Sequence, residues 1–312
     1  MEYAQAAPEL IAMHPSQTPT TVAQMLHMAQ TQGLERLDAQ LLVLHAMGRS
    51  PHDRAWLLAH DTDPMPHATQ TALRTTVQRR LGGEPLAYIT GHKEFFGLDL
   101  QVDARVLVPR PDTETLVEWA LEVLADAPAA TVHKVLDLGT GSGAIALALK
   151  HTRPELRVSA VDFSANALAV ARANAQRLEL DVSFSQGSWL SGVQGLFHAI
   201  VSNPPYIADH DVHLAALTHE PLQALTSGSD GLDDIRNIIT QAPAQLHPGA
   251  WLLLEHGYDQ AAAVRDLLLA AGFAGVQSRQ DLAGIARCSG GYYRNNIATS
   301  IGEERKTIED LM

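Results

Sequence analysis

From about residue 112 onward the chain alternates between amphipathic helix and apolar strand, and this alternation restricts its fold more than any other feature. VHKVLDLG (132–139), FHAIVSN (197–203) and AWLLLEHG (250–257) are apolar runs, joined by LRVSAVD (156–162) and the shorter VSFSQ (182–186). A strand without polar alternation is buried on both faces, and helices achieve that by covering a parallel sheet. The intervening segments have helical spacing. Leu116, Val117, Ala120, Leu121 and Leu124 follow Asp112, which is expected to cap their helix. Ser164 is expected to cap another, and Asp259 a third that carries Val264, Leu267, Leu268 and Ala271 and closes at Gly272. The expectation is an α/β fold around a doubly covered parallel sheet.

The first part of the chain has a different texture. Val22, Met25, Leu26 and Ala29 fall on one helical face, and Leu34, Leu37, Leu41 and Leu44 suggest a second stripe, stopped by Gly48. Ser50-Pro51 has the form of a helix start, with Ser as N-cap and Pro at the first position. Leu73, Val77 and Leu81 line a fourth helix, closed by Gly82-Gly83. GLDLQVD then alternates as a strand does, after an FFG turn. The chain therefore divides into a helical bundle over 1–83 with a loose leader at 1–17, a connecting β-hairpin over 84–105, a main α/β domain over 106–293, and a tail, 294–312, of no assigned structure. A length of 312 residues suits one mid-sized domain with a smaller one.

DLGTGSGA (137–144) sits where the first strand of the main domain meets its helix. Gly139, Gly141 and Gly143 allow a sharp turn and close approach to a ligand, and the helix start offers free N–H groups. The loop, with Thr140 and Ser142 between its glycines, fits a dinucleotide or S-adenosylmethionine equally well. Asp162, ending the second strand, suits the ribose hydroxyls that both cofactors share. Asp137 discriminates: a carboxylate beneath the loop favours an ammonium group and opposes a pyrophosphate.

After FHAIVS come Asn203, Pro204, Pro205 and Tyr206. Proline ends strand pairing, and its fixed φ makes the segment rigid. The strand order opens this tetrapeptide beside the glycine loop. An amide or aromatic NH2 is a poor nucleophile, because its lone pair is delocalised. The Asn203 side-chain oxygen and the Pro204 carbonyl can accept its two hydrogens, align it and stabilise the charge that develops during attack. Tyr206 offers a ring face to the same planar group.

Composition narrows the partners. Asp and Glu number 35 against 22 Lys and Arg, for a formal net charge of −13, which argues against stable nucleic-acid binding. The single cysteine, Cys288, fits a cytoplasmic setting. No run of about 18 apolar residues suggests a membrane span. The 15 histidines are scattered without metal-ligand spacing, so no metal is expected.

Across residues 20–293 the chain closely resembles the release factor glutamine methyltransferases, the PrmC/HemK family. The resemblance rests on EPLAYITGHKEFFGLDLQV (84–102), VLVPRPDTETLVEWAL (106–121), VLDLGTGSGAIALAL (135–149), VSNPPYI (201–207) and LLLEHGYDQ (252–260). It implies a Rossmann-like class I methyltransferase sheet and N5-methylation of the glutamine in the Gly-Gly-Gln loop of class-one peptide chain release factors. It also implies cofactor contacts from Gly139 to Gly143, from Asp162, from Asn203, and from Trp189 along the adenine, where a core aromatic is the other reading. The substrate glutamine falls to Asn203, Pro204, Pro205 and Tyr206. Arg110, Asp112 and Glu114 either border the cofactor or cap the following helix. The long connection 207–231, with His219-Glu220-Pro221, is expected to face the release factor. SGGYY (289–293) departs from the family by carrying Gly-Gly where a Gly-Arg pair is usual.

Two other functions compete with this one. An adenine-N6 methyltransferase acting on DNA or RNA would use the same tetrapeptide on a flipped base, but the chain has no basic, aromatic-interleaved stretch. A non-catalytic cofactor-binding scaffold would have no use for an intact Asn-Pro-Pro-Tyr.

Overall fold

The computed structural model describes residues 20–125 and 132–294; the expected leader (1–17) and the tail beyond 294 lie outside the described residues. The chain falls into two compact units that divide between Ile89 and Thr90.

The first unit is helical. α1 (Val22–Thr31) opens at Thr21, whose side chain accepts from the Gln24 N–H while the Gln24 side chain returns a bond to the Thr21 N–H. α2 (Arg36–Ala46) and α4 (His67–Leu81) pack on it through Met25, Ala29, Leu42, Val43, Leu73 and Val77, all buried. The expected α2 stripe holds in part: Leu34 and Leu44 are buried and Leu41 is half-buried, but Leu37 is half exposed, and Ala39, Leu42 and Val43 complete the inward face. α3 (Arg54–Ala59) also starts later than Ser50-Pro51 suggests. The Ser50 hydroxyl accepts from the His52 N–H within a turn, and Asp53 precedes the helix. α5 (Leu86–Thr90) is a single helical turn, so the hairpin is shorter than 84–105.

In the second unit, β1 (His92–Phe95) and β2 (Leu98–Gln101) form that antiparallel hairpin. Phe96 and Gly97 both have positive φ, which a two-residue turn between twisted strands requires. α6 (Glu114–Ala125) buries Leu116, Val117, Ala120 and Leu124 as expected. A seven-stranded sheet follows, built from β3 (Lys134–Leu138), β4 (Arg157–Asp162), β5 (Ser183–Gln186), β6 (Phe197–Ser202), β7 (Leu246–Glu255), β8 (Phe273–Gln280) and β9 (Ala286–Tyr293). Its order is β5-β4-β3-β6-β7-β9-β8, parallel except where β9 pairs antiparallel with β7 and β8. Between these strands run α7 (Ala144–Thr152), α8 (Ala165–Arg177), α9 (Asp233–Gln241) and α10 (Ala261–Ala270). The central strands are buried almost throughout, and one apolar cluster lies on each face of the sheet.

Ser164 caps α8 as expected, accepting from the Ala167 N–H at 3.2 Å. Asp259 does not cap α10; Gln260 precedes that helix. Asp112 does not cap α6. It lies in a 3-10 turn, Pro111–Thr113, and its carboxylate faces Arg287 at 3.4 Å.

Candidate active site

Register sets the site. Leu138 of β3 is paired with Ser202 of β6, and the Ser202 hydroxyl donates to the Leu138 carbonyl at 2.8 Å. The two segments that leave these strands, the glycine loop and Asn203–Tyr206, therefore start side by side at the carboxyl edge of the sheet. A cleft of about 260 Å³ lies there, lined by Gly139, Gly141, Asp162, Trp189, Asn203 and Pro205 among others. Thr140, Ser142 and Gly143 of the loop and Pro204 of the tetrapeptide are buried.

Several bonds hold the glycine loop. The Gly139 and Thr140 N–H groups donate to the Val161 carbonyl at 2.8 and 3.1 Å, which draws the loop against the end of β4. The Gly141 N–H donates to the Asp162 carboxylate at 2.8 Å, and the Ser164 N–H donates to its other oxygen. Asp162 is largely buried. Burial raises its pKa, against the pull of these two N–H donors.

Asp137 lies wholly buried under the loop. One carboxylate oxygen accepts from the Thr140 hydroxyl at 2.6 Å and from the Ala146 N–H at 3.2 Å. The other has no hydrogen-bond partner among the described residues. Desolvation pushes the Asp137 pKa up to about 7. The start of α7 thus already faces a carboxylate. The expectation of free N–H groups awaiting an anion is corrected accordingly, and a pyrophosphate is disfavoured.

Trp189 stands across the cleft. Its ring lies so close to Gly139 that a Cβ added there would be 3.3 Å from it. Its indole N–H donates to Asp234 at 2.9 Å, and Asp234 is bound in turn by the Ser227 hydroxyl.

Around Asn203 the side chains form a connected set. The Asn203 Nδ2 donates to the Thr113 hydroxyl at 3.2 Å. The Thr113 hydroxyl donates to the Glu255 carboxylate. The Tyr206 hydroxyl reaches Glu255 Oε1 at 3.4 Å. Glu255 is almost fully buried, and desolvation raises its pKa to about 7. The Tyr206 carbonyl accepts from Gln260 Nε2 at 3.0 Å.

The PRPDTE segment is organised differently from either expected reading. Arg110 pairs with Glu220, which also accepts the Val108 N–H at 3.1 Å. Glu114 accepts the Phe96 N–H at 3.0 Å. The cleft wall comes instead from Arg105, Val106 and Leu107, with Pro221, Gln223 and Ala224 from the long connection. Glu220 is turned inward and buried, so it does not face a partner.

Sequence reasoning passed over several residues. Thr113, Glu255 and Gln260 lie inside quoted motifs, but no local pattern marks them. Asn174, on α8, is fully buried and donates to the carbonyls of Gln101 and Ser142 at 2.9 and 3.0 Å, tying the hairpin to the glycine loop. Among the described residues no group of His, Cys, Asp or Glu is arranged to hold a metal, and no helix is long and apolar enough to cross a membrane.

Comparison with known proteins agrees with this geometry. The "Methyltransferase small domain" family model matches residues 117–229, and the "PrmC N-terminal domain" model matches residues 20–91. The release factor glutamine methyltransferase of Bordetella pertussis is 52% identical over 83% of this chain and 96% of its own length. That of Burkholderia pseudomallei is 48% identical, covering 88% and 96%, and that of Pseudomonas aeruginosa 48%, covering 83% and 92%. Among solved structures, the hMettl16 catalytic domain in complex with the MAT2A 3'UTR hairpin 6 shares the fold, with a TM-score of 0.53 at 14% identity over 74% of this chain and 83% of that one. With a Rossmann-like sheet, the cleft at its carboxyl edge and relatives at this identity over nearly their full length, the chain belongs to the release factor glutamine methyltransferase family.

Proposed function

We propose that the chain transfers a methyl group from S-adenosylmethionine to the side-chain amide nitrogen (N5) of the glutamine in the Gly-Gly-Gln loop of class-one peptide chain release factors. The observation that supports this reading is the pairing of Leu138 with Ser202, from which the glycine loop and Asn203–Tyr206 start side by side at one cleft.

The cofactor fits the residues present. Gly139 and Gly141 leave the backbone bare where a ligand must approach. The Asp162 oxygens retain lone pairs for ribose hydroxyls, and the unpartnered Asp137 oxygen is a buried acceptor for a cation. Gly139–Gly143, Asp162, Trp189 and Asn203 are assigned to hold it. S-adenosylmethionine, when bound, supplies an electrophilic methyl group on a sulfonium.

Asn203, Pro204, Pro205 and Tyr206 are assigned to the substrate. The Asn203 Oδ1 and the Pro204 carbonyl accept the two amide hydrogens, fix the plane of the carboxamide and stabilise the positive charge that grows on its nitrogen. The Tyr206 ring supports that plane. The tetrapeptide is held from behind by Gln260 and Glu255, so the grip is set before the substrate arrives.

The wider assignments are that the helical bundle of α1 to α5 helps recognise the release factor, that the β1–β2 hairpin leads from it into the catalytic domain, and that the protein works in the cytoplasm without stable nucleic-acid binding. One assay tests the function. The protein is incubated with methyl-labelled S-adenosylmethionine and either a release factor or duplex DNA. Label on the factor, lost when the loop glutamine is replaced, is the expected result. Label on DNA alone would sink the reading in favour of an adenine methyltransferase.

A further inference from the structure

We propose that Thr113 and Glu255 are positioning residues that fix which end of the Asn203 carboxamide faces the substrate. The inference rests on the function proposed above and deepens it.

An asparagine amide is nearly symmetric in shape but not in chemistry. One end accepts hydrogen bonds and the other donates them. Asn203 can grip an NH2 group only if Oδ1 points toward it. Turned over, it would present a second NH2 and repel the substrate. Some feature of the protein must therefore distinguish the two orientations.

The register supplies that feature. Ser202 of β6 is paired with Leu254 of β7, so Asn203, just past the end of β6, and Glu255, the last residue of β7, are neighbours. Thr113 ends the 3-10 turn before α6 and is itself buried. Its hydroxyl has one hydrogen and two lone pairs. The hydrogen goes to Glu255, a nearly fully buried carboxyl group. Only lone pairs remain for Asn203, and only the NH2 end of the amide can meet them. The observed contact is that one: Nδ2 lies 3.2 Å from the Thr113 hydroxyl. Asn203 lines the cleft, so Oδ1 is left to the substrate. The Tyr206 hydroxyl, reaching Glu255 Oε1, makes Glu255 the common anchor of both ends of the tetrapeptide.

This order is that of a Glu255 that accepts. The bond from Thr113 favours its ionised form, which accepts at both oxygens; an acid O–H turned toward the Thr113 hydroxyl would reverse the order.

The test uses the full chain with a release factor as substrate. Thr113→Val keeps the shape and removes the hydroxyl; turnover (kcat) is expected to fall about 10- to 100-fold, with S-adenosylmethionine affinity and Tm near those of the unaltered enzyme. Thr113→Ser, which keeps the hydroxyl, is expected to restore most of the turnover. If Thr113→Val does not fold, Thr113→Ala removes the same group without added bulk and gives the same reading. A kcat within about twofold of the unaltered enzyme overturns the proposal, as does a loss that serine does not restore or that is matched by weaker cofactor binding. Transfer by the unaltered enzyme with an indifferent Thr113→Val overturns the relay alone. No transfer by the unaltered enzyme overturns the function and the relay with it.

Discussion

The indole of Trp189 lies against Gly139, the first glycine of the cofactor loop, so closely that a methyl group at 139 would come within 3.3 Å of the ring. Gly139 also has φ +68°, a conformation that side chains resist. Gly139→Ala is therefore expected to strain the backbone and displace the ring together. Cofactor affinity should fall about 10- to 100-fold, from roughly 1–2 kcal/mol of strain plus the lost ring contact. Isothermal titration with S-adenosylmethionine measures it, and an unchanged Kd would remove Trp189 and Gly139 from the cofactor site.

How much of this was legible in the sequence depended on whether a residue's role is local. The apolar runs of β3, β6 and β7 announce central strands because both their faces are buried. β8 and β9 were missed. β8 buries Phe273 alone, its other residues being partly or fully exposed, and β9 runs through Gly290 and Gly291, whose missing side chains leave room for the Leu252 carbonyl and Val276. Asp112 looked like a helix cap because its partner, Arg287, is remote in sequence. The glycine loop and the tetrapeptide were readable because consecutive residues carry their chemistry. Asn174, Thr113 and Glu255 were not, since each acts through a partner brought in by the sheet register.

Gly231 is a second glycine with no freedom to change. Its φ is +73°, and an added Cβ would sit 2.2 Å from the Tyr206 carbonyl oxygen and 2.8 Å from Gln260 Nε2. The obstacle is backbone, so it can yield only by moving the tetrapeptide. Gly231→Ala should cost about 2–4 kcal/mol of stability and lower turnover as well. Urea unfolding and turnover of the folded fraction check both parts. Wild-type turnover in the variant would mean that the tetrapeptide tolerates displacement.

Asp137 makes stability depend on pH in a direction unusual for an aspartate. Its pKa in the folded chain, about 7, lies above the ordinary value of 3.8, so folding favours the protonated form. That contribution is complete below about pH 4 and is lost as pH rises through 7. His198 and His256 act in the opposite sense. Burial lowers their pKa values, so what they contribute is lost as pH falls. The difference between Asp137→Asn and the unaltered protein isolates Asp137. The stability of the variant relative to the parent should rise by about 1–4 kcal/mol between pH 5 and pH 8. Parallel urea-unfolding curves across that range would show that Asp137 is ionised in the folded chain.

Glu220 joins the two walls of the cleft. It stands in the long connection and accepts both from Arg110 and from the Val108 N–H. The neighbouring residues Arg105–Leu107 line one side of the cleft, and Pro221, Gln223 and Ala224 line the other. A buried carboxylate bonded to both segments keeps them together, and a neutral amide binds the guanidinium more weakly. Glu220→Gln retains an acceptor for Val108 and the side-chain volume, so the fold should survive. The walls should part more often, and S-adenosylmethionine should leave about 3- to 10-fold faster, with a smaller change in its association rate. Stopped-flow displacement of the bound cofactor separates the two rates. If dissociation is unchanged, the ion pair is structural and the cofactor leaves by a route that does not part these walls.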